Sequence, residues 1–81
     1  MPKVRRENLP RPLFRHLADR AREREISTDQ LEMLFDWLEI EPDVPEGRWF
    51  KRFPEVVVCG EGELIKTFLR PDQAAFGREV V

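Results

Sequence analysis

The spacing of hydrophobic residues changes once along this chain, from a helical period in the first half to an alternating one in the second. Between residues 12 and 24, apolar side chains recur on one face of a helix, at Leu13, Phe14, Leu17, Ala18 and Ala21. Proline at position 12 is compatible with a first turn, where its missing N–H would be unpaired anyway. This pattern predicts a first helix over residues 12–24.

The segment before this helix shows no period. Pro10 and Pro12 disfavour helical backbone angles at the residues that precede them, and the segment is rich in lysine and arginine. We therefore expect an extended basic arm over residues 1–10, followed by a single domain over residues 11–81.

The second helix has a clear start signal. Ser27 is a favoured N-cap residue, and Gln30 three positions later completes a capping box. Ile26 before the cap can contact Leu31 as a hydrophobic staple. Apolar residues then follow the helical period as far as residue 38, while the opposite face is acidic. These features predict a second helix over residues 28–39, ended by the prolines at 42 and 45.

After Gly47 the apolar residues alternate or are β-branched, as is typical of strands. We expect turns at Pro54–Glu55 and at Gly60–Glu63. The predicted strands cover residues 48–53, 55–59 and 64–69, with a short fourth strand over residues 79–81. The predicted fold class is therefore α+β, with two N-terminal helices followed by a three- to four-stranded antiparallel sheet.

The same patterns predict one hydrophobic core. Alternation in the first strand places Trp49 on the sheet face toward the helices and Phe50 on the other face. We expect the apolar sides of both helices to cover the Trp49 face. The expected cluster consists of Leu17, Leu34, Phe35, Leu38, Val57 or its neighbours, and Phe68 or Leu69.

Composition and charge narrow the class of protein. Of the 81 residues, 41% are hydrophobic and 37% are charged, which is typical of an ordered globular domain. The net charge of −2 is unevenly distributed, because residues 1–25 carry eight basic and four acidic side chains, a net +4, and the remainder carries −6. We therefore expect any contact with a polyanion to be confined to a local basic face.

The chain offers few ligands for a metal or cofactor. A single cysteine, Cys59, excludes an intramolecular disulfide, and a single histidine leaves too few ligands for a zinc site. We expect no metal and no cofactor. No apolar run is long enough for a membrane anchor and the first residues do not resemble a signal peptide, so we expect a cytoplasmic protein.

The candidate chemistry centres on His16, Arg20 and Arg24. Steps of four residues place these side chains along one stripe of the first helix. Guanidinium groups bind phosphate or carboxylate through paired hydrogen bonds, and a histidine can transfer a proton near neutral pH. The alternative interpretation is a helix edge in which arginine stems and the imidazole cover the core.

Lys66 and Thr67 extend this candidate phosphate site to the last well-defined strand. As adjacent strand residues they are expected to point to opposite faces, so only one of them can share a face with the helices. The alternative is a threonine chosen for its strand preference and a lysine that faces solvent.

The run from Phe14 to Ser27, followed by Gln30 and Leu31, resembles the helical half of small BrnT-type toxins and related uncharacterised domains. In those proteins a histidine and then arginines precede a Glu-Arg-Gly-Ile-Ser/Thr junction, and the sheet ends in a Val/Ile-Thr strand, to which Ile65–Phe68 is similar. Glu25 stands where such junctions have glycine. The resemblance covers residues 14–69.

The resemblance implies a metal-independent ribonuclease of the barnase/RelE-like group. In such an enzyme the 2′-hydroxyl of RNA is the nucleophile and His16 transfers a proton. Arg20 and Arg24 stabilise the developing charge on the phosphate, and Thr67 is a further position of interest.

Two functional hypotheses follow from the sequence. The first is a toxin-like domain that binds RNA, with or without cleaving it. The second is a non-catalytic module that binds a protein partner through the Trp49 strand or the acidic second helix. A cleft that brings His16, Arg20 and Arg24 within reach of Lys66 or Thr67 favours the first, whereas scattered or ion-paired side chains favour the second.

Overall fold

A computed structural model describes the whole chain, from Met1 to Val81. Two helices precede a sheet of four strands, so the predicted α+β class is confirmed. The first helix is preceded by a single 3₁₀ turn, Arg6–Asn8. The helices are α1 (Arg11–Arg22) and α2 (Thr28–Glu39), and the strands are β1 (Arg48–Arg52), β2 (Val57–Glu61), β3 (Leu64–Leu69) and β4 (Arg78–Glu79).

The sheet is mixed, with the strand order β3-β2-β1-β4. β1 with β2 and β2 with β3 form antiparallel pairs, whereas β4 pairs with β1 in parallel, at Trp49 with Arg78 and Phe50 with Glu79. A hairpin after β3 would place an antiparallel fourth strand beside β3, but residues 70–77 instead cross two strands to reach the far side of β1. This crossover makes one pairing parallel where the sequence predicted an antiparallel sheet.

α1 ends at Arg22, two residues earlier than predicted. The backbone of Arg24 adopts the left-handed region, with φ of 63°. The N–H of Arg24 donates to the carbonyl of Ala21 (3.0 Å), and the N–H of Glu25 donates to the carbonyl of Arg20 (2.9 Å). These two hydrogen bonds form a Schellman motif, which satisfies the last carbonyls and turns the chain away from the helix axis.

α2 begins at the predicted position, but its N-terminus is completed by a residue distant in sequence. Ser27 Oγ accepts a hydrogen bond from the N–H of Gln30 (3.3 Å), as expected of an N-cap. In a capping box, Gln30 would then accept from the N–H of Ser27. Here Glu55 Oε1 accepts from that N–H, while Gln30 Oε1 accepts from the N–H of Glu55 (3.2 Å). The box therefore joins α2 to the β1–β2 turn.

The second strand lies two residues later than predicted, over Val57–Glu61. The N–H of Phe53 donates to the carbonyl of Val56 (2.8 Å) and closes the preceding turn. Gly60, expected in a turn, is a strand residue paired with Trp49, and any Cβ at this position would overlap the indole. The turn itself lies at Gly62, whose φ of 57° favours glycine.

The core lies between the helices and one face of the sheet. Trp49 is fully buried there, its ring centroid lies 5.9 Å from that of Trp37, and its Nε1 donates to the carbonyl of Gly62 (2.8 Å). Phe35 is only partly buried, and β2 contributes Val58 rather than Val57 to the main cluster. The cluster consists of Val4, Leu17, Ile26, Leu34, Leu38, Val44, Trp49, Phe53, Val56, Val58, Ile65 and Phe68.

The first ten residues pack against the loop that follows α2. Val4 is fully buried, and its N–H donates to the carbonyl of Pro42 (3.1 Å). Lys3 Nζ lies 2.9 Å from Asp43 Oδ1. These contacts fix the direction in which the segment enters the 3₁₀ turn and α1. Neither α1 nor α2 has the length and apolar composition needed to cross a membrane.

Candidate functional site

His16 and Arg20 share a cleft of about 490 Å³ between α1 and the residues that follow β3. Arg70 and Gln73 line its other side. Three carboxylates also line the cleft, and they outnumber its two guanidinium groups. Because like charges repel, this surface does not favour a phosphate. The carboxylates belong to Asp19, Glu23 and Glu25.

Arg20 is the central residue of an ion-paired network. Its Nε lies 3.4 Å from Glu25 Oε2, and Arg70 Nη2 lies 3.2 Å from the other oxygen of the same carboxylate. Only 7% of the Arg20 side chain is exposed. Its buried Nε lies within ion-pair distance of Glu25 but makes no hydrogen bond. Arg20 therefore joins the end of α1 to the chain after β3.

Arg24 does not continue the predicted stripe. The left-handed turn at this residue lies outside α1, so the four-residue spacing no longer applies. Its side chain is exposed and does not line the His16 cleft. The structure thus brings two of the three predicted stripe residues together.

Lys66 and Thr67 lie in a different cleft. A bulge in β3 leaves Lys66 without a partner on β2, because Thr67 pairs with Cys59 and Ile65 pairs with Gly60. Both residues consequently line the same cleft, of about 470 Å³, beneath the β3–β4 connection, although simple alternation predicts opposite faces. Neither residue lines the His16 cleft, so the predicted site residues are scattered and partly ion-paired, the arrangement expected of a non-catalytic module.

The same cleft contains Cys59 and borders the Trp49 strand. Burial raises the pKa of the Cys59 thiol, which keeps it protonated near neutral pH and makes it a poor nucleophile. β1 lies inside the sheet, where both Trp49 and Phe50 pair with β2 on one side and β4 on the other. A partner strand therefore has no open edge at these two residues.

A third cleft, of about 360 Å³, lies between the 3₁₀ turn, α1 and α2. We call it the arginine–phenylalanine cleft. It is lined by three guanidinium side chains and three apolar ones, and by no carboxylate. The six residues are Arg6, Leu9, Arg11, Phe14, Arg15 and Phe35.

The charge in this cleft is only partly neutralised. Arg6 Nη1 lies 3.3 Å from Glu39 Oε1, so one of the three cations has an acidic partner. No carboxylate lies within ion-pair distance of Arg11 or Arg15. α1 begins at Arg11 with no side-chain cap and no acidic residue in its first turn, so the positive end of the helix dipole adds to the potential.

Helix geometry and one distant contact assemble this cleft. Arg11, Phe14 and Arg15 lie at i, i+3 and i+4 and thus share a face of α1. The 3₁₀ turn returns Arg6 to α2, where its Cζ lies 4.9 Å from the centroid of the Phe35 ring. Phe14 is exposed although it belongs to the apolar stripe predicted for this helix, and the basic residues beside it at helical spacing are the sequence signal of an exposed site.

Comparison with known proteins finds no protein-family profile, curated protein or solved structure that matches this chain.

Proposed function

We propose that this protein binds RNA through the arginine–phenylalanine cleft. The observation that carries the proposal is the presence of three guanidinium groups around one cleft that no carboxylate lines. Arginine suits this role because its planar group forms paired, charge-assisted hydrogen bonds with phosphate oxygens. The uncapped start of α1 supplies further positive potential for a phosphate.

The proposal accommodates the negative net charge of the chain. The basic surplus lies within residues 1–25, whereas the acidic surplus lies in the rest of the sequence. Screening by salt limits interactions between exposed charges to about 8 Å at physiological ionic strength. A basic cleft can therefore attract a phosphate even though the protein as a whole is acidic.

The proposal assigns RNA binding to a surface other than the predicted His16 stripe. Arg20 is buried and paired with Glu25, and three carboxylates line the His16 cleft. Arg11 and Arg15, in contrast, are exposed and have no acidic partner. The proposed function is therefore binding, with His16 given no role in it.

The proposal is tested by measuring the affinity for a fluorescently labelled oligouridine of about twelve nucleotides. Anisotropy gives this affinity at two salt concentrations. The double variant Arg11→Gln/Arg15→Gln should bind more weakly. The slope of log K against log salt concentration should become shallower by about 1.4, which is about 0.7 for each lost phosphate contact. Equal affinities for this variant and the wild type would refute the proposal. Gel analysis of the same samples shows whether RNA is also cleaved.

A matched control removes the same amount of charge elsewhere. Lys51 and Arg78 have no ion-pair partner, and neither lines the cleft. Lys51→Gln/Arg78→Gln should retain the salt dependence of the wild type. An equal loss in both double variants would indicate a general effect of net charge rather than a site.

The outer face of α2 favours a second candidate function, the binding of a basic protein segment. Met33 on this face and Ile40 at the C-cap of α2 are 46% and 73% exposed, and Glu32 and Asp36 supply carboxylates on the same helix. Neither carboxylate has an ion-pair partner. Binding of a lysine-rich amphipathic peptide that is lost in Glu32→Gln/Asp36→Gln would support this function.

A further inference from the structure

We propose that the arginine–phenylalanine cleft accepts an unpaired base on the ring of Phe14, so that the protein selects single-stranded RNA over duplex RNA. The inference rests on the proposed RNA binding and adds the form of RNA that is recognised. The supporting observation is the apolar lining of the cleft, formed by Leu9, Phe14 and Phe35, because a site that binds only phosphate does not need apolar side chains.

Phe14 offers an open aromatic surface. It is 48% exposed, whereas the two leucines of the same helix, Leu13 and Leu17, pack in or against the core. Its ring centroid lies 6.2 Å from that of Phe35, with 43° between the planes. The two rings are tilted and do not stack in parallel, and no cation lies over the ring of Phe14.

Phe35 has a different neighbour. The guanidinium of Arg6 lies over its ring, with Cζ 4.9 Å from the centroid, and Glu39 holds the guanidinium by a hydrogen bond of 3.3 Å. A cation therefore already covers one face of Phe35, whereas Phe14 has no cation over its ring and can stack against a base. A planar guanidinium can also stack on a base, so Arg6 and Phe14 together provide two stacking surfaces.

The cations are placed to hold the backbone of a strand whose base lies on Phe14. Arg11 and Arg15 share the α1 face of Phe14, three residues before it and one residue after it. Aromatic stacking with flanking cations is the usual arrangement in proteins that bind single strands. In duplex RNA the bases are stacked inside the helix, and their faces cannot reach an external ring.

The experiment compares Phe14→Leu with Phe76→Leu, because Phe76 is another exposed phenylalanine that lies outside the cleft. The probe is a uridine oligonucleotide with one central 2-aminopurine, used as a single strand and as a duplex of the same length. Wild type and Phe76→Leu should bind the single strand about ten-fold more tightly than the duplex. They should also change the fluorescence of 2-aminopurine, which reports stacking.

Phe14→Leu should lose about ten-fold in affinity for the single strand and should show no change in 2-aminopurine fluorescence. Thermal melting of each variant checks that the fold is intact. Unchanged single-strand affinity in Phe14→Leu, or equal affinity of the wild type for duplex and single strand, would overturn base stacking. If Arg11→Gln/Arg15→Gln still weakens binding in that case, RNA binding stands without it, whereas no RNA binding by the wild type refutes both.

Discussion

Glu55 Oε1 accepts a hydrogen bond from the backbone N–H of Ser27, although the two residues are 28 positions apart. The first N–H groups of a helix have no partner within the helix. Glu55 supplies one from the β1–β2 turn and places a negative charge at the positive end of α2. The contact therefore links the start of a helix to the sheet that it packs against.

Replacing this acceptor should weaken the fold. We expect Glu55→Ala to lower the free energy of unfolding by about 1 kcal/mol, the usual effect of a lost helix cap. For a domain of this size the melting temperature should fall by about 4–8 °C, which circular dichroism can measure. Glu63→Ala removes an exposed carboxylate that has no such contact and should leave melting unchanged. A similar loss in both variants would show that the Ser27 contact contributes nothing.

Arg24→Gly should make the protein more stable. Arg24 has a φ of 63°, which costs an ordinary residue about 1–2 kcal/mol and costs glycine little. The greater freedom of glycine in the unfolded chain offsets part of this gain, so we expect a net increase of about 0.5 kcal/mol. Arg22→Gly, inside α1, should have the opposite sign. Urea denaturation of the two variants measures both effects, and destabilisation by Arg24→Gly would contradict the left-handed turn.

Gly60→Ala should destabilise the sheet, because the new methyl group would overlap the indole of Trp49. Overpacking of this kind costs about 1–3 kcal/mol. Gly47→Ala serves as the comparison, since nothing lies within 4 Å of a Cβ at that position. Chemical denaturation followed by tryptophan fluorescence should separate the two variants. Equal stability would mean that Trp49 does not lie against Gly60.

Arg20→Ala should be destabilising rather than silent. The side chain is 93% buried, and its loss removes the packing of its stem and one of the two cationic partners of Glu25. We expect a loss of about 1–3 kcal/mol. Arg22, whose side chain is 80% exposed, provides the matched control, and Arg22→Ala should change stability by less than about 0.5 kcal/mol. Superimposable melting curves for all three proteins would exclude a structural role for Arg20.

The pKa of Asp43 should depend on Lys3. The hydrogen bond and charge of Lys3 lower the pKa of this carboxyl below its ordinary value. A lowered folded-state pKa stabilises the protein above the unfolded-state pKa, and the contribution is lost as the pH falls through the folded-state value. Lys3→Gln should therefore move the Asp43 titration, followed by NMR, to higher pH. An identical titration in both proteins would show that the pair does not persist in solution.

The sequence determined the features that depend on neighbours a few positions apart. The three- to four-residue period predicts both helices, Ser27 marks the start of α2, and alternation predicts β3 and the burial of Trp49. These features can be predicted because each depends on a residue's own conformational preference and on a regular apolar face. The order of two helices followed by the first three strands, and much of the core, follow from them.

The candidate site is less accessible to such reasoning. Helical spacing brings His16 and Arg20 together, but it does not show that Arg20 is buried against Glu25 and Arg70. The bulge at Lys66 interrupts the alternation of strand residues. The prediction that Lys66 and Thr67 point to opposite faces of the sheet depended on this alternation. The role of RNA at either cleft stays a prediction.

Only the tertiary structure decided which distant groups meet. The sequence has no periodic signal for the contact of Glu55 with Ser27, for the parallel pairing of β4 with β1, or for the return of Arg6 to Phe35. Each of these depends on how loops bring separate elements together, and the energy of such a contact is available only after the core has fixed their positions. Local sequence patterns thus determine the helices and strands of this protein. The packing of those elements determines which basic side chains, such as Arg11 and Arg15, remain without an acidic partner.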